Sequence, residues 1–237
     1  KNFVVKISEF FLERANLMLA SNLQEKNYLL KVFGRKKKIK LISNGVSSSK
    51  FMELSKLNNL EDQPVVGYFG SMGKAQNIAV LIRLAQKHKN IKFVLSGAGS
   101  QYNHIESQIK KLELNNVNIT PRLDWEQLKI KYEKTNIFFA QLTDDYKSAV
   151  PSKLYEYLAT GKYIFFSGSG AAAQFLKNFE NNITIEQNDF ELMDMALLKI
   201  LRDKKFMHVS QKNIDTIQKS YIRERVVISF FDYLESL

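Results

Sequence analysis

The sequence of 237 residues has no cysteine, three prolines, three histidines, one tryptophan and no apolar run of membrane-spanning length. Without cysteine there is no disulfide framework, no thiolate metal centre and no cysteine nucleophile. His88, His104 and His208 show neither metal-ligand spacing nor a Ser–His–Asp arrangement, so imidazole chemistry has little to build on. The lack of a long apolar stretch and of a recognisable signal peptide leads us to expect a cytoplasmic protein, or one held peripherally on the inner face of the plasma membrane. Glycine is also sparse, at ten residues, yet several of them cluster directly after strand-like runs.

With 45% hydrophobic residues, the chain can bury one ample core and a remnant of another. The net charge is +11, and ten Lys and Arg against three Asp and Glu in residues 1–45 place +7 of it there. Its densest patch, Arg35-Lys36-Lys37-Lys38 with Lys40, suits either a solvated loop or a contact with anionic lipid headgroups. Nucleic acid is not an expected partner, because the aromatics lie within strands and apolar helix faces and are not interleaved with this cluster.

From residue 64 onward strand-like and helix-like runs alternate, which predicts an α/β fold with a Rossmann-like, doubly wound parallel sheet over about residues 64–184. Val65–Phe69 reads as a buried strand that runs into Gly70-Ser71-Met72-Gly73-Lys74 and then a helix over residues 75–86. Residues 91–95 read as a strand, Gly97-Ala98-Gly99 as a turn and residues 102–112 as a helix. Further strands are predicted at 117–120, 137–142 and 163–166, with helices at 125–133 and 171–177. Glycine turns after strands admit close backbone approach and aim helix N–H groups at an anion. Neither of the first two turns matches the dinucleotide fingerprint or a Walker sequence, so a nucleotide other than NAD or a P-loop triphosphate is expected.

The segment Val150-Pro151-Ser152-Lys153-Leu154-Tyr155-Glu156-Tyr157-Leu158 carries the most specific signal. Pro151 suits a helix start, whose free N–H groups attract an anion. Lys153 and Glu156 stand three apart on one face, while Leu154 and Leu158 form a buried stripe opposite. The lysine would meet a diphosphate and the glutamate a ribose diol. Lys–Glu pairs also decorate ordinary helices, so this helix alone leaves both readings open.

Four segments, in order, resemble the retaining glycosyltransferases of family 4, which have the GT-B fold. Leu41-Ile42-Ser43-Asn44-Gly45-Val46 is similar to the family's interdomain crossing, Gly67 to Asn77 to its first glycine loop, Gly97-Ala98-Gly99 to its second, and Pro151 to Tyr157 to its Pro-Ser-Lys-x-x-Glu-Tyr form. The resemblance implies that residues 46–205 bind a nucleoside-diphosphate sugar, UDP ahead of other bases. Residues 1–45 then correspond to the last elements of an acceptor domain and a linker, and residues 206–237 to helices packing back across the junction. It implies catalytic roles for Lys153 at the diphosphate and Glu156 at the ribose. Donor contacts are expected from Gly70, Ser71, Gly73, Lys74, Gly97, Gly99, Arg122, Leu123, Ser152 and Leu154.

The family form also implies no metal and no cofactor beyond the donor. Asp144-Asp145 lacks the spaced-aspartate metal signature of the other major glycosyltransferase fold. The implied acceptor is a glycan or lipid-linked sugar in bacterial surface polysaccharide or lipopolysaccharide synthesis, and the general base would come from the acceptor domain or the substrate. The chain departs from the family pattern in three places. Ser148 stands where many relatives carry a first glutamate, Ser71 and Gln76 lie nearest to the usual Arg and Lys of the glycine loop, and Pro121 replaces a glycine. A nucleotide-sugar epimerase and a non-catalytic nucleotide-sugar-binding subunit are the alternatives.

Overall fold

A computed structural model describes residues 2–34, 36–186 and 189–236. Arg35 of the basic cluster lies outside the described residues. The first elements are α1 (Asn2–Arg14), β1 (Met18–Ala20), α2 (Leu23–Phe33) and β2 (Ile39–Leu41), with β1 and β2 paired in parallel. Asn22 starts α2 by accepting the Glu25 N–H at 3.0 Å. Met18, Ala20 and Leu29 bury together there, whereas Phe10, Phe11, Leu23 and Tyr28 remain exposed.

After α3 (Ser48–Leu54) the chain alternates through β3 (Val65–Ser71), α4 (Ala79–Lys87), β4 (Lys92–Ala98), α5 (Tyr102–Lys111), β5 (Val117–Thr120) and α6 (Trp125–Glu133). It continues through β6 (Ile137–Gln141), α7 (Ser152–Ala159), β7 (Tyr163–Ser167), α8 (Gly170–Leu176), β8 (Asn182–Ile185) and α9 (Phe190–Arg202) to α10 (Gln211–Ser220) and α11 (Arg223–Glu235).

Strands β3 to β8 form one parallel sheet in the order β5-β4-β3-β6-β7-β8. The chain steps outward from β3 to β5, then returns to lay β6 beside β3 and steps outward the other way. That reversal opens a crevice at the carboxyl ends of the strands. β3 and β4 pair from Val65↔Lys92 to Ser71↔Ala98, but β3 and β6 pair only at Val66↔Ile137 and Gly67↔Phe138.

Helices cover both faces, so β6 and β7 read as unbroken apolar runs. On one face Tyr68, Phe93, Phe139 and Phe165 pack with Leu84 of α4, Ile105 of α5 and Leu197 of α9. On the other, Phe69, Phe138 and Phe166 pack with Leu158 of α7, Leu176 of α8 and Ile217 of α10. Asp194 fastens α9 to the end of α4, accepting from Lys87 Nζ at 2.8 Å and meeting His88 Nε2 at 2.6 Å. Burial works against the charge of this carboxyl, yet its hydrogen bonds to Lys87 and His88 hold it below the ordinary aspartate range.

The expected elements and the observed ones differ in several places. The helix expected from residue 75 begins at Ala79, because a 3-10 turn over Lys74–Gln76 and Asn77 at φ 37° come first. Gly97 and Ala98, expected in a turn, continue β4 because they pair with Gly70 and Ser71 of β3. α3, β8 and α9 are not among the elements expected from the sequence. At the crossover, Val46 N–H donates to Tyr221 O at 3.0 Å, Arg223 N–H to Val46 O at 2.9 Å and Arg223 Nη2 to Gly45 O at 3.0 Å. The outbound and returning chain therefore meet at one point.

Candidate functional site

A cleft of about 820 Å³ lies at the carboxyl ends of β3 and β4, walled by α3, α6 and α7. It has the size of a small-molecule site. Gly70, Ser71, Arg122, Leu123, Ser152, Lys153 and Glu156, all singled out from the sequence, line it.

α7 supplies the central pair. Pro151 in extended conformation starts the helix, and Leu154, Tyr155, Tyr157 and Leu158 are buried, which turns Lys153 and Glu156 toward the cleft. Lys153 Nζ donates to Tyr68 Oη at 2.8 Å and sits 4.0 Å from the Tyr68 ring centroid. Tyr68 passes the chain of donors on to Ser71 O. No carboxylate among the described residues lies within ion-pair distance of Lys153. Burial pushes its pKa down to about 7, with the Glu156 charge opposing. An anion in the cleft would restore the ammonium.

The backbone beneath this lysine adopts a conformation that favours glycine. A Cβ on Gly70, at φ +130°, would lie 2.9 Å from Lys153 Nζ. Glu156 lies one turn further along α7, where its Oε1 accepts from Lys50 Nζ at 2.7 Å and its Oε2 from Tyr132 Oη at 3.1 Å. The loop carrying Arg122 and Leu123 is tied down by Ser96 Oγ, which donates to Pro121 O at 2.8 Å. Asp124 then caps α6 by accepting from Gln127 N at 2.8 Å.

The other singled-out residues stand elsewhere. Leu154 is 0% exposed and belongs to the core. Gly97 and Gly99 back the turn from behind, since Cβ atoms there would meet Gly70 O at 1.8 Å and Met72 O at 2.6 Å. Gly73 and Lys74 line a separate depression of about 170 Å³ with Asn77, Gln101 and His104. The Gly73 N–H is already engaged by Gln76 Oε1 at 3.1 Å. Gly73, Lys74, Gly97, Gly99 and Leu154 thus support or adjoin the cleft without lining it.

The cleft also contains residues that sequence reasoning missed: Lys50, Phe69, Ser96, Trp125, Leu128 and Tyr132 among them. Trp125, Leu128 and Tyr132 stand at helical spacing, which was the available signal for a common face. No histidine lines this cleft: His88 is buried beside Asp194 and His104 lines the smaller depression. Among the described residues, no group of three or more His, Cys, Asp or Glu is arranged to hold a metal ion, and no helix is long and apolar enough to cross a membrane.

No curated protein matches this sequence. Among solved structures, sucrose-phosphate synthase from Thermosynechococcus elongatus superposes with a TM-score of 0.82 at 18% identity, over 100% of this chain and 62% of that one. Anabaena HepE in complex with UDP-glucose gives 0.76 at 17% identity, over 98% of this chain and 67% of that one. WaaG, a glycosyltransferase involved in lipopolysaccharide biosynthesis, gives 0.68 at 12% identity, over 90% of this chain and 60% of that one. At these identities the likeness shows a shared fold, and the chain spans about two thirds or less of each structure. A family model described as glycosyl transferases group 1 matches residues 50–216, which include all the α/β sheet and every cleft residue named above. The chain belongs to the group 1 glycosyl transferases.

Proposed function

We propose that this chain supplies the donor site of a glycosyltransferase that uses a nucleoside-diphosphate sugar, with UDP as the nucleotide. The single observation that carries the reading is the pairing on α7 of Lys153, a half-buried lysine with no carboxylate within ion-pair distance among the described residues, with Glu156, one turn on in the same cleft. In this reading Lys153 and the first-turn N–H groups of α7 receive the diphosphate, Glu156 receives the ribose hydroxyls, and the loop of Pro121 to Leu123 lies against the base. Anabaena HepE, which shares the fold, is solved with UDP-glucose, which supports UDP as the first ligand to try.

Chemistry follows from the same groups. As the bond from the anomeric carbon to the diphosphate breaks, negative charge grows on the leaving oxygen, and a preorganised ammonium stabilises that charge. Transfer with retention to a glycan or lipid-linked acceptor in bacterial surface polysaccharide synthesis is the finer form of the proposal. It rests on the resemblance of the Pro-Ser-Lys-x-x-Glu-Tyr segment and on the shared fold of WaaG. The epimerase alternative loses support because no histidine lines the cleft.

The test is calorimetric titration with UDP, GDP and ADP, followed by UDP-sugar turnover with polysaccharide precursors as acceptors. Micromolar binding of one diphosphate, corresponding to about 8 kcal/mol, is the expected result. No binding of any of the three would overturn the reading.

A further inference from the structure

Glu156 is gripped by two groups that come from distant parts of the chain. Lys50 Nζ, on α3, donates to Oε1 at 2.7 Å, and Tyr132 Oη, on α6, donates to Oε2 at 3.1 Å. An ionised carboxylate has about four acceptor sites, two on each oxygen. Each oxygen of Glu156 therefore keeps one site open, and the residue lines a cleft that a ligand can enter. Two acceptors on one carboxylate match the two adjacent hydroxyl donors of a vicinal diol.

The grip is itself braced. The Lys50 ammonium stands 4.5 Å from the Trp125 ring centroid, so α6 supports it from one side. Glu53, one turn after Lys50 on α3, accepts from Trp125 Nε1 at 3.0 Å and from Lys129 Nζ at 2.6 Å, which binds α3 to α6. Tyr132 is 1% exposed, and burial, with the nearby Tyr157 and Glu156 charges, raises its hydroxyl well above the ordinary range, so it remains a donor. An ion pair whose lysine side chain is 36% exposed contributes little to folding stability. Its geometric effect is larger: the cation fixes where Oε1 points.

We propose that Lys50, together with Tyr132, is a positioning residue that aims both oxygens of Glu156 at the 2′- and 3′-hydroxyls of a nucleotide ribose, making the cleft selective for ribonucleotides over their deoxy forms. The inference rests on the assignment of Glu156 to the ribose. It differs from a simple blocking role, in which Lys50 would occupy the site of the ribose and its removal would tighten binding.

The experiment compares UDP with 2′,3′-dideoxy-UDP by calorimetry on the wild type and on Lys50→Met, Lys50→Arg, Tyr132→Phe and Glu156→Gln. The expected result is that Lys50→Met and Tyr132→Phe each weaken UDP by about tenfold, the loss of one charge-assisted hydrogen bond's worth of orientation, and leave the dideoxy ligand unchanged. Lys50→Arg restores the preference for UDP. Equal weakening of both ligands, or tighter UDP binding by Lys50→Met, would overturn the positioning role. Selective loss in Glu156→Gln without loss in either positioning variant would overturn it too, while leaving the ribose assignment standing. If the wild type binds both ligands equally, the ribose assignment fails and the inference with it. Should Lys50→Met not fold, Tyr132→Phe, which removes one oxygen from a buried ring, decides the matter.

Discussion

Gly97 lies against the Gly70 carbonyl so closely that a Cβ on Gly97 would stand 1.8 Å from the oxygen. The two residues are partners in the β3–β4 register, and Gly70 in turn lies beneath Lys153. A backbone oxygen cannot rotate away as a side chain would. Gly97→Ala should therefore push the end of β3 out of place and destabilise the fold by about 3 kcal/mol, the upper range for overpacking. Thermal melting checks this, and UDP binding should fall with it. A melting temperature equal to that of the wild type would show that the strand ends have room to part.

Replacement of Glu156 by Gln keeps shape and removes charge. The fold should survive, while UDP binding should weaken by about 1–3 kcal/mol, as for loss of a hydrogen bond to a charged group. Calorimetry reads the loss and circular dichroism the fold. Unchanged affinity would make Glu156 only a partner of Lys50 and Tyr132.

Lys153 connects binding to pH. In the empty cleft its pKa is lowered to about 7, so above that pH most molecules hold the neutral amine. A diphosphate favours the ammonium, so UDP binding should take up a proton and its affinity should fall by up to about tenfold per pH unit above that point. Uridine, without phosphates, should show no such slope, and Lys153→Met should abolish it for UDP. Titration in buffers of different ionisation enthalpy counts the proton directly. A flat profile for UDP in the wild type would point to another phosphate site.

Asp194 makes the opposite pH claim, about stability. Its folded pKa lies below the unfolded value, so the Lys87 and His88 contacts contribute stability above the unfolded aspartate pKa, and that stability is lost as pH falls through the folded one. Asp194→Asn should lower stability by about 1–3 kcal/mol at neutral pH and flatten the acid limb of a denaturation series. Wild-type acid behaviour in the variant would rule out this carboxyl as a contributor.

Local chemistry made much of this legible in the sequence. The apolar runs of β6 and β7, the span of α6 and the Lys153–Glu156 spacing each depend on residues a few positions apart, and all fell where expected. Glycines were visible as glycines, but their reason was not. Gly97 and Gly99 exist for the passage of neighbouring backbone, a fact of strand pairing that no local pattern contains. Lys50 escaped notice because it reaches Glu156 across 106 residues, and neither α3 nor the contact has a signature within its own segment. Lys74, attractive for its charge and its glycine neighbour, ended up beside a different depression once the 3-10 turn set its direction.

The short β3–β6 ladder divides the sheet into two halves that meet over two residue pairs, Val66↔Ile137 and Gly67↔Phe138. Each half can assemble from neighbours in sequence, whereas the seam needs a closure spanning the whole of α4, β4, α5, β5 and α6. The seam should thus form last and exchange its amide hydrogens first. Gly70 lies on one side of it, and Lys153 and Glu156 come from the other, so a ligand in the cleft would act as a rivet through the joint. Its occupancy would slow exchange in β3 and β6 together, far beyond the atoms it touches.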